Sequence, residues 1–259
     1  MFARVGRRGQ RNRMRAHATD LRAAHPAVRG AVLGGVGLLA WGTAEYIRVR
    51  QGRRRAARWM AKDLNALDRA GRAVLRWRDP ARADRLSDLL AFGAAPAACA
   101  WALWQPGEPF DDLVLRDGLA ITEAAVLTGL VNQVTKQLAM RERPLAAGAP
   151  RRAHLPDRYG SFFSGHSASV AVVCASAGLR KLGDGVRTKR LLALPALPLL
   201  TAYLRVAADK HYLTDVLAGV GVGVGVALLD TWIALGPGRG SVARDAGIDG
   251  LAPGVDAAL

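Results

Sequence analysis

Three short stretches of this chain hold residue types that could do chemistry together. The first is "KQLAMRERP", with Lys136, Arg143 and Pro144, and Arg141 between them. The second is "SFFSGHSAS", with Ser164, Gly165 and His166. The third is "RVAADKHYLTD", with Arg205, His211 and Asp215. Lys136, Arg143 and Arg205 are permanent positive charges with too few carboxylates beside them in sequence to neutralise them. Gathered at one place they would repel unless an anion joined them, and guanidinium forks match phosphate oxygens in pairs. Ser164 and Gly165, at an expected helix start, add a hydroxyl and backbone N–H groups for the same anion. His211 and Asp215 are four apart, so they share a helix face, and the carboxylate can fix the imidazole's tautomer. His166 is a second imidazole on another segment. Two such rings suit phosphoryl transfer through a covalent intermediate, where one attacks phosphorus and the other protonates the departing oxygen. The cationic side chains would stabilise charge on the equatorial oxygens.

Each cluster ends an apolar block, so a helical bundle must bring the three to one face. The chain has 259 residues, 51% of them hydrophobic, yet 22% are charged and the net charge is +16. This combination implies apolar blocks alternating with strongly basic ones, and the basic excess suits nucleic acid or anionic headgroups. Two cysteines far apart, Cys99 and Cys174, permit neither a disulfide framework nor a zinc pattern. Residues 1–30 read as a basic, mobile arm suited to anionic headgroups. Residues 31–85 read as a unit with two parts. An apolar, Gly-rich segment (31–47) is a signal anchor, a signal-peptide core or a hairpin dipping into the membrane. No small-x-small cleavage site follows it, which favours an uncleaved segment. The basic stretch 48–85 spaces Trp59, Met60, Leu64, Leu67, Val74, Leu75 and Trp77 for an amphipathic helix in the headgroup layer.

Five apolar blocks follow, at 86–104, 113–135, 164–179, 190–207 and 212–235. Several approach the roughly 20 residues needed to cross a bilayer, although 113–135 contains Arg116, Asp117 and Glu123. The fold class is therefore all-α, a multi-pass membrane bundle of about five or six apolar helices. Its core spans 86–235 and a tail covers 236–259. The Gly-Val alternation at 219–226 reads as a packed membrane helix, in which Gly219 with Gly223 and Gly221 with Gly225 form overlapping small-xxx-small pairs. They would serve internal packing or a dimer contact.

The three clusters resemble the tripartite signature of the type 2 phosphatidic acid phosphatase superfamily: K-x6-R-P, then P-S-G-H, then S-R-x5-H-x3-D. Lys136 to Pro144 fits the first motif fully, and Arg205, His211 and Asp215 fit the third at the right intervals. Phe163 stands where the family usually has Pro and Leu204 where it usually has Ser, departures that bear on rate and substrate preference. The resemblance implies His211 as nucleophile oriented by Asp215, and His166 as general acid. It also implies a phosphate held by Lys136, Arg143, Ser164, Gly165 and Arg205, with no metal or other cofactor. Arg141 and Lys210 read as solvated interface charges rather than as holders of a second phosphate.

The expected substrate is a lipid-linked phosphate monoester or diphosphate: phosphatidic acid, phosphatidylglycerol phosphate, an isoprenoid phosphate or a phosphorylated sugar-lipid. The Ala-, Arg- and Gly-rich composition favours a bacterial envelope isoprenoid. The resemblance puts the site on the extracytoplasmic face. The basic loop 180–190 agrees with this, whereas the basic stretch 48–85 opposes it. Two rivals are a vanadate-binding enzyme like the related haloperoxidases, and a non-enzymatic membrane protein that binds anionic lipid or nucleic acid. The second leaves His166, His211 and Asp215 without a role.

Overall fold

The computed structural model describes residues 64–104, 112–147, 158–183, 191 and 194–235, with eight separate positions between 35 and 46. The arm at 1–30, the basic residues 48–63, the loop residues 184–190 and the tail 236–259 lie outside them. Of the apolar segment 31–47, the described positions are helical. Ala44 there accepts a hydrogen bond from Gln137 Nε2 at 3.2 Å.

Six helices carry the described fold: α1 (Ala66–Leu75), α2 (Pro80–Leu103), α3 (Asp112–Ala139), α4 (Gly165–Gly183), α5 (Ala196–Ala207) and α6 (Leu213–Leu235). No strand occurs among the described residues. Helices α2 and α6, the latter over Leu213–Trp232, are long and apolar enough to cross a membrane, and α5 is apolar but short. Among the described residues, two of the expected five or six apolar helices meet that length and composition. The polar residues of α3 and the basic end of α4 account for part of the difference.

The basic stretch is not one continuous amphipathic helix. Asn65 caps α1 by accepting from Asp68 N at 2.8 Å. The chain then breaks, and Asp79 caps α2 by accepting from Arg82 N, with Pro80 in the first turn. Proline suits that position because its missing N–H would have no helical partner there. The buried side of α1 is Asp68 and Gly71, whereas Leu67 and Val74 point outward. A polar inward face of this kind needs partners of opposite charge, and the site supplies them.

α4 is the central helix and packs against α2, α3, α5 and α6. Its core layer joins Val170, Cys174 and Ala177 to Ala95, Cys99 and Leu103 of α2 and Ile121 of α3. Both cysteines are buried and free. The closest approach is between α4 and α6. A Cβ on Gly219 would lie 2.6 Å from the Ser164 carbonyl, and one on Gly223 would lie 2.4 Å from that of Ala168. Gly221 and Gly225 face open space. Among the described residues only one of the two small-xxx-small pairs therefore packs, and it holds α6 against the start of α4. At the far end, Arg180 of α4 donates to Asp117 of α3 at 3.2 Å and to Asp230 of α6 at 2.6 Å.

This contrast gives a direct test. Gly223→Ala should destabilise the detergent-solubilised protein by about 1–3 kcal/mol, whereas Gly225→Ala should stay within about 0.5 kcal/mol of wild type. Thermal unfolding of the two variants side by side reads the difference.

Candidate active site

The three clusters meet at one end of the bundle. Lys136 lies in the last turn of α3, and Met140 (φ 46°) reverses the chain into Arg141 and Arg143. Backbone bonds join this exit to the approach of α4: Arg143 N donates to Arg158 O at 2.8 Å and Ser161 N donates to Arg141 O at 3.1 Å. After α5, Asp209 (φ 56°) turns the chain so that Lys210 and His211 fold back, their N–H groups bonding Arg205 O. A non-glycine residue in the left-handed region costs local strain. At Asp209 the side chain is pinned by Arg72 Nε and Nη2 of α1 at 2.7 and 2.9 Å, and by Arg76 at 3.3 Å.

His211 is buried, and its ring is fixed from both sides. Nδ1 lies 2.7 Å from the Ser161 carbonyl, and Nε2 lies 3.3 Å from Arg143 Nη1. A carbonyl only accepts, so Nδ1 carries the proton and Nε2 keeps its lone pair. Burial holds the imidazole well below its ordinary value, and the charges of Arg143, Arg205 and Lys136 add to this; the Ser161 bond opposes them. Lys136 thus belongs to the charge field around the ring.

Asp215 stands differently from the direct pairing expected with His211. Its carboxylate is 3.8 Å from Nδ1, farther than the Ser161 carbonyl. It accepts instead from Arg141 Nη1 at 2.5 Å, Ser161 Oγ at 2.6 Å and Tyr212 N at 2.9 Å. Ser161 therefore touches both residues, with its hydroxyl on Asp215 and its carbonyl on His211. Arg141 is not a solvated interface charge. It is 7% exposed and also donates to Asp68 of α1 at 2.6 Å. Lys210 is paired too, with Asp84 at 2.9 Å.

At the second cluster α4 begins at Gly165. Ser164 Oγ caps it, accepting from Ser167 Oγ at 3.0 Å and Ser167 N at 3.4 Å, while Ser164 N donates to Asp215 O. Its own O–H remains a donor, and the first-turn N–H groups of Gly165 and His166 have no intrahelical acceptor. A Cβ on Gly165 would meet Asn132 Oδ1 at 2.9 Å, so the glycine lets α3 approach. Asn132 in turn donates to Phe163 O at 2.7 Å. His166 Nε2 sits 2.8 Å from Asp88 Oδ1 of α2, with the Phe92 ring edge-on at 5.3 Å.

Arg205, 5% exposed, donates through Nη1 to Asp84 at 2.6 Å and to Ser87 Oγ at 2.9 Å. Its Nε is buried and has no partner among the described residues. Leu204, at the position of the family's serine, packs against the Ala83 cluster, so the hydroxyl beside Arg205 comes from Ser87. Phe163, at the position of the family's proline, is buried.

Sequence reasoning missed Asp68, Asp84, Ser87, Asp88, Asn132 and Ser161. For Asp84 and Asp88 a signal existed: two carboxylates four apart at the mouth of an apolar block share a helix face. Asp68 gave no such signal, because its partner Arg141 is 73 residues away. Among the described residues no three His, Cys, Asp or Glu converge as a metal ion would require.

A buried imidazole thus sits beside fixed cations, with one buried donor of Arg205 left without a partner among the described residues. Residues 117–236 match the PAP2 superfamily, and this region holds all three clusters. Two crystal structures are similar at 18% identity. One is LpxE of Aquifex aeolicus, with a TM-score of 0.47, covering 66% of this chain and 98% of that one. The other is a transmembrane PAP2-type phosphatidylglycerolphosphate phosphatase of Bacillus subtilis, with a TM-score of 0.45, covering 78% and 94%. No curated protein matches the chain.

The charge field around His211 yields a prediction of its own. In ring-resolved NMR of the detergent-solubilised protein, His211 should still be neutral at pH 6.5, the ordinary imidazole value. A ring half-protonated at that pH would contradict the burial and cation placement described here.

Proposed function

We propose that the chain hydrolyses a lipid-linked phosphate monoester or diphosphate at a membrane surface through a phosphohistidine on His211. The observation that carries this is the His211 ring: Nδ1–H is committed to Ser161 O, and the Nε2 lone pair is exposed to Arg143 at 3.3 Å. A neutral imidazole with an unprotonated Nε2 is the form that attacks phosphorus, and an anion bound by Arg143 would take the guanidinium's hydrogen bond from that nitrogen. Nε2 forms the new N–P bond as the P–O bond to the lipid breaks, and His166 gives its proton to the departing oxygen. Water then attacks phosphorus, returning a proton to His166, and the N–P bond breaks to release phosphate. Burial and the Arg205 charge push the His166 ring down to about 4, and Asp88 on its Nε2 opposes them in favour of the imidazolium that must donate.

The phosphoryl oxygens would lie among Lys136, Arg143, Arg205 Nε and the Ser164–Gly165 turn. The cations supply fixed positive charge where negative charge develops, and the unpartnered Arg205 Nε supports this placement. In this reading no metal is required. Bilayer residence is supported by α2 and α6 and by large apolar side chains facing outward, among them Phe92, Leu127, Val134, Leu200, Leu228 and Trp232. A multi-pass arrangement would set the site at headgroup depth, facing away from the cytoplasm. The Arg-rich N-terminal region would hold anionic headgroups.

Phosphate release by the detergent-purified protein from a panel of lipid mono- and diphosphates, with EDTA present, should persist. It should fall about a thousandfold or more in His211→Ala. Release abolished by EDTA, or retained by His211→Ala, would contradict the proposal. Arg205→Ala should lower kcat/KM by about a hundredfold or more. The acid limb of kcat/KM should lie below the ordinary imidazole value, because activity falls only as pH drops through the depressed pKa of His211 and its lone pair is protonated.

A further inference from the structure

Arg141, 7% exposed, engages a buried polar cluster of its own. Nη1 donates to Asp215 Oδ1 at 2.5 Å and to Thr214 Oγ1 at 2.8 Å. Nη2 donates to Asp68 Oδ2 at 2.6 Å, and the guanidinium lies 4.5 Å from the centre of the Tyr212 ring. Asp68 is itself fully buried, and it also accepts from Thr214 N at 2.8 Å and Thr214 Oγ1 at 2.9 Å. Two buried carboxylates from helices far apart in sequence thus share one guanidinium. A planar fork can hold two oxyanions at fixed angles, which an ammonium cannot.

The chain of contacts continues to the reactive ring. Asp215 Oδ2 accepts from Ser161 Oγ, Ser161 N donates to Arg141 O, and Ser161 O receives the Nδ1 proton of His211. Moving Arg141 would therefore release Asp215, then Ser161, then the tautomer of His211. We infer that Arg141 is a positioning residue for His211, and that α1, outside the family-matched region, completes it through Asp68. This rests on the phosphatase reading above, and it adds a specific role for a helix that precedes the matched residues.

The inference has an electrostatic signature that a purely structural role lacks. The charged groups acting on His211 are Lys136 and Arg143 from α3 and its exit, Arg205 from α5 and Asp215 from α6. Asp84 and Asp88 of α2 face Arg205 and His166, and Asp84 also holds Lys210. Arg141 is the cation that neutralises Asp215. With Arg141 changed to Gln, the carboxylate acts on the ring unopposed and favours its protonated form.

The test compares wild type, Arg141→Gln, Arg141→Lys and the double variant Arg141→Gln/Asp68→Asn. The double variant removes one charge of each sign from the buried cluster and so leaves its net charge unchanged, which guards against misfolding of the single variant. Two readouts are taken: kcat, KM and inhibition by inorganic phosphate across pH, and NMR titration of the His211 ring assigned with His211→Ala. The inference predicts that the double variant loses about ten- to a hundredfold in kcat. Its phosphate inhibition constant should stay within about twofold of wild type, because Lys136, Arg143 and Arg205 remain. Both the acid limb and the ring titration should rise by roughly one pH unit. Arg141→Lys, which keeps the charge but not the fork, should lose kcat with a smaller pH shift. A folded double variant with wild-type kcat and an unmoved ring titration overturns the inference and leaves the phosphatase reading standing. If wild type releases no phosphate, that reading falls, and the ring titration still decides whether Arg141 controls His211.

Discussion

Concentrated positive charge is the constraint on which this structure depends. Lys136, Arg141, Arg143, Arg205 and Lys210 converge on one end of a bundle whose helices are otherwise apolar, and burial makes each unpaired cation costly. The protein answers with carboxylates placed behind and beside the site. Asp215 and Asp68 share Arg141, Asp84 holds Arg205 and Lys210, and Asp209 takes Arg72 and Arg76. Two atoms stand out: the Nε2 lone pair of His211, which faces Arg143 Nη1 at 3.3 Å, and the Nε of Arg205, which has no partner among the described residues. Neutralising the surroundings while sparing those two atoms allows an anion to be held without a cationic cluster that repels itself.

This requirement explains the part played by the helices before the matched region. α1 and the start of α2 contribute little apolar core, yet they bring Asp68, Arg72, Asp84 and Asp88 to the site. The tight α4–α6 contact has the complementary task. Gly219 and Gly223 let the helix that follows His211 lie directly on the helix that follows Ser164. Ser164 N can then bond Asp215 O, so the second and third clusters share a backbone contact as well as a charge field.

Much of the site was legible because its residues fall at fixed intervals beside apolar blocks. Lys136 to Pro144, Ser164 to His166 and Arg205 to Asp215 could be read as one constellation, and the start of α4 at Gly165 follows from Ser164 as a cap. The Gly219–Gly223 packing was legible from small-residue spacing, although the overlapping Gly221–Gly225 pair could not be told from it without a partner helix. Long-range polar pairing was not legible. Periodicity in 48–85 weighs apolar residues and hides the fact that α1 turns Asp68 inward. The spacing of His211 and Asp215 gives a shared face but cannot reveal that the Ser161 carbonyl, fifty residues upstream, takes the nearer position on Nδ1.

The central claim is that phosphorus passes through His211. Acid-labile, base-stable label should appear on the protein when it is mixed with a lipid phosphate labelled in the phosphoryl group and quenched within a turnover. Mass spectrometry of the peptide containing Lys210 to Asp215 should place it on the His211 ring. The account predicts that label at wild-type His211 and its loss in His211→Ala. Turnover with no label on the protein, or label that survives in His211→Ala, would contradict it.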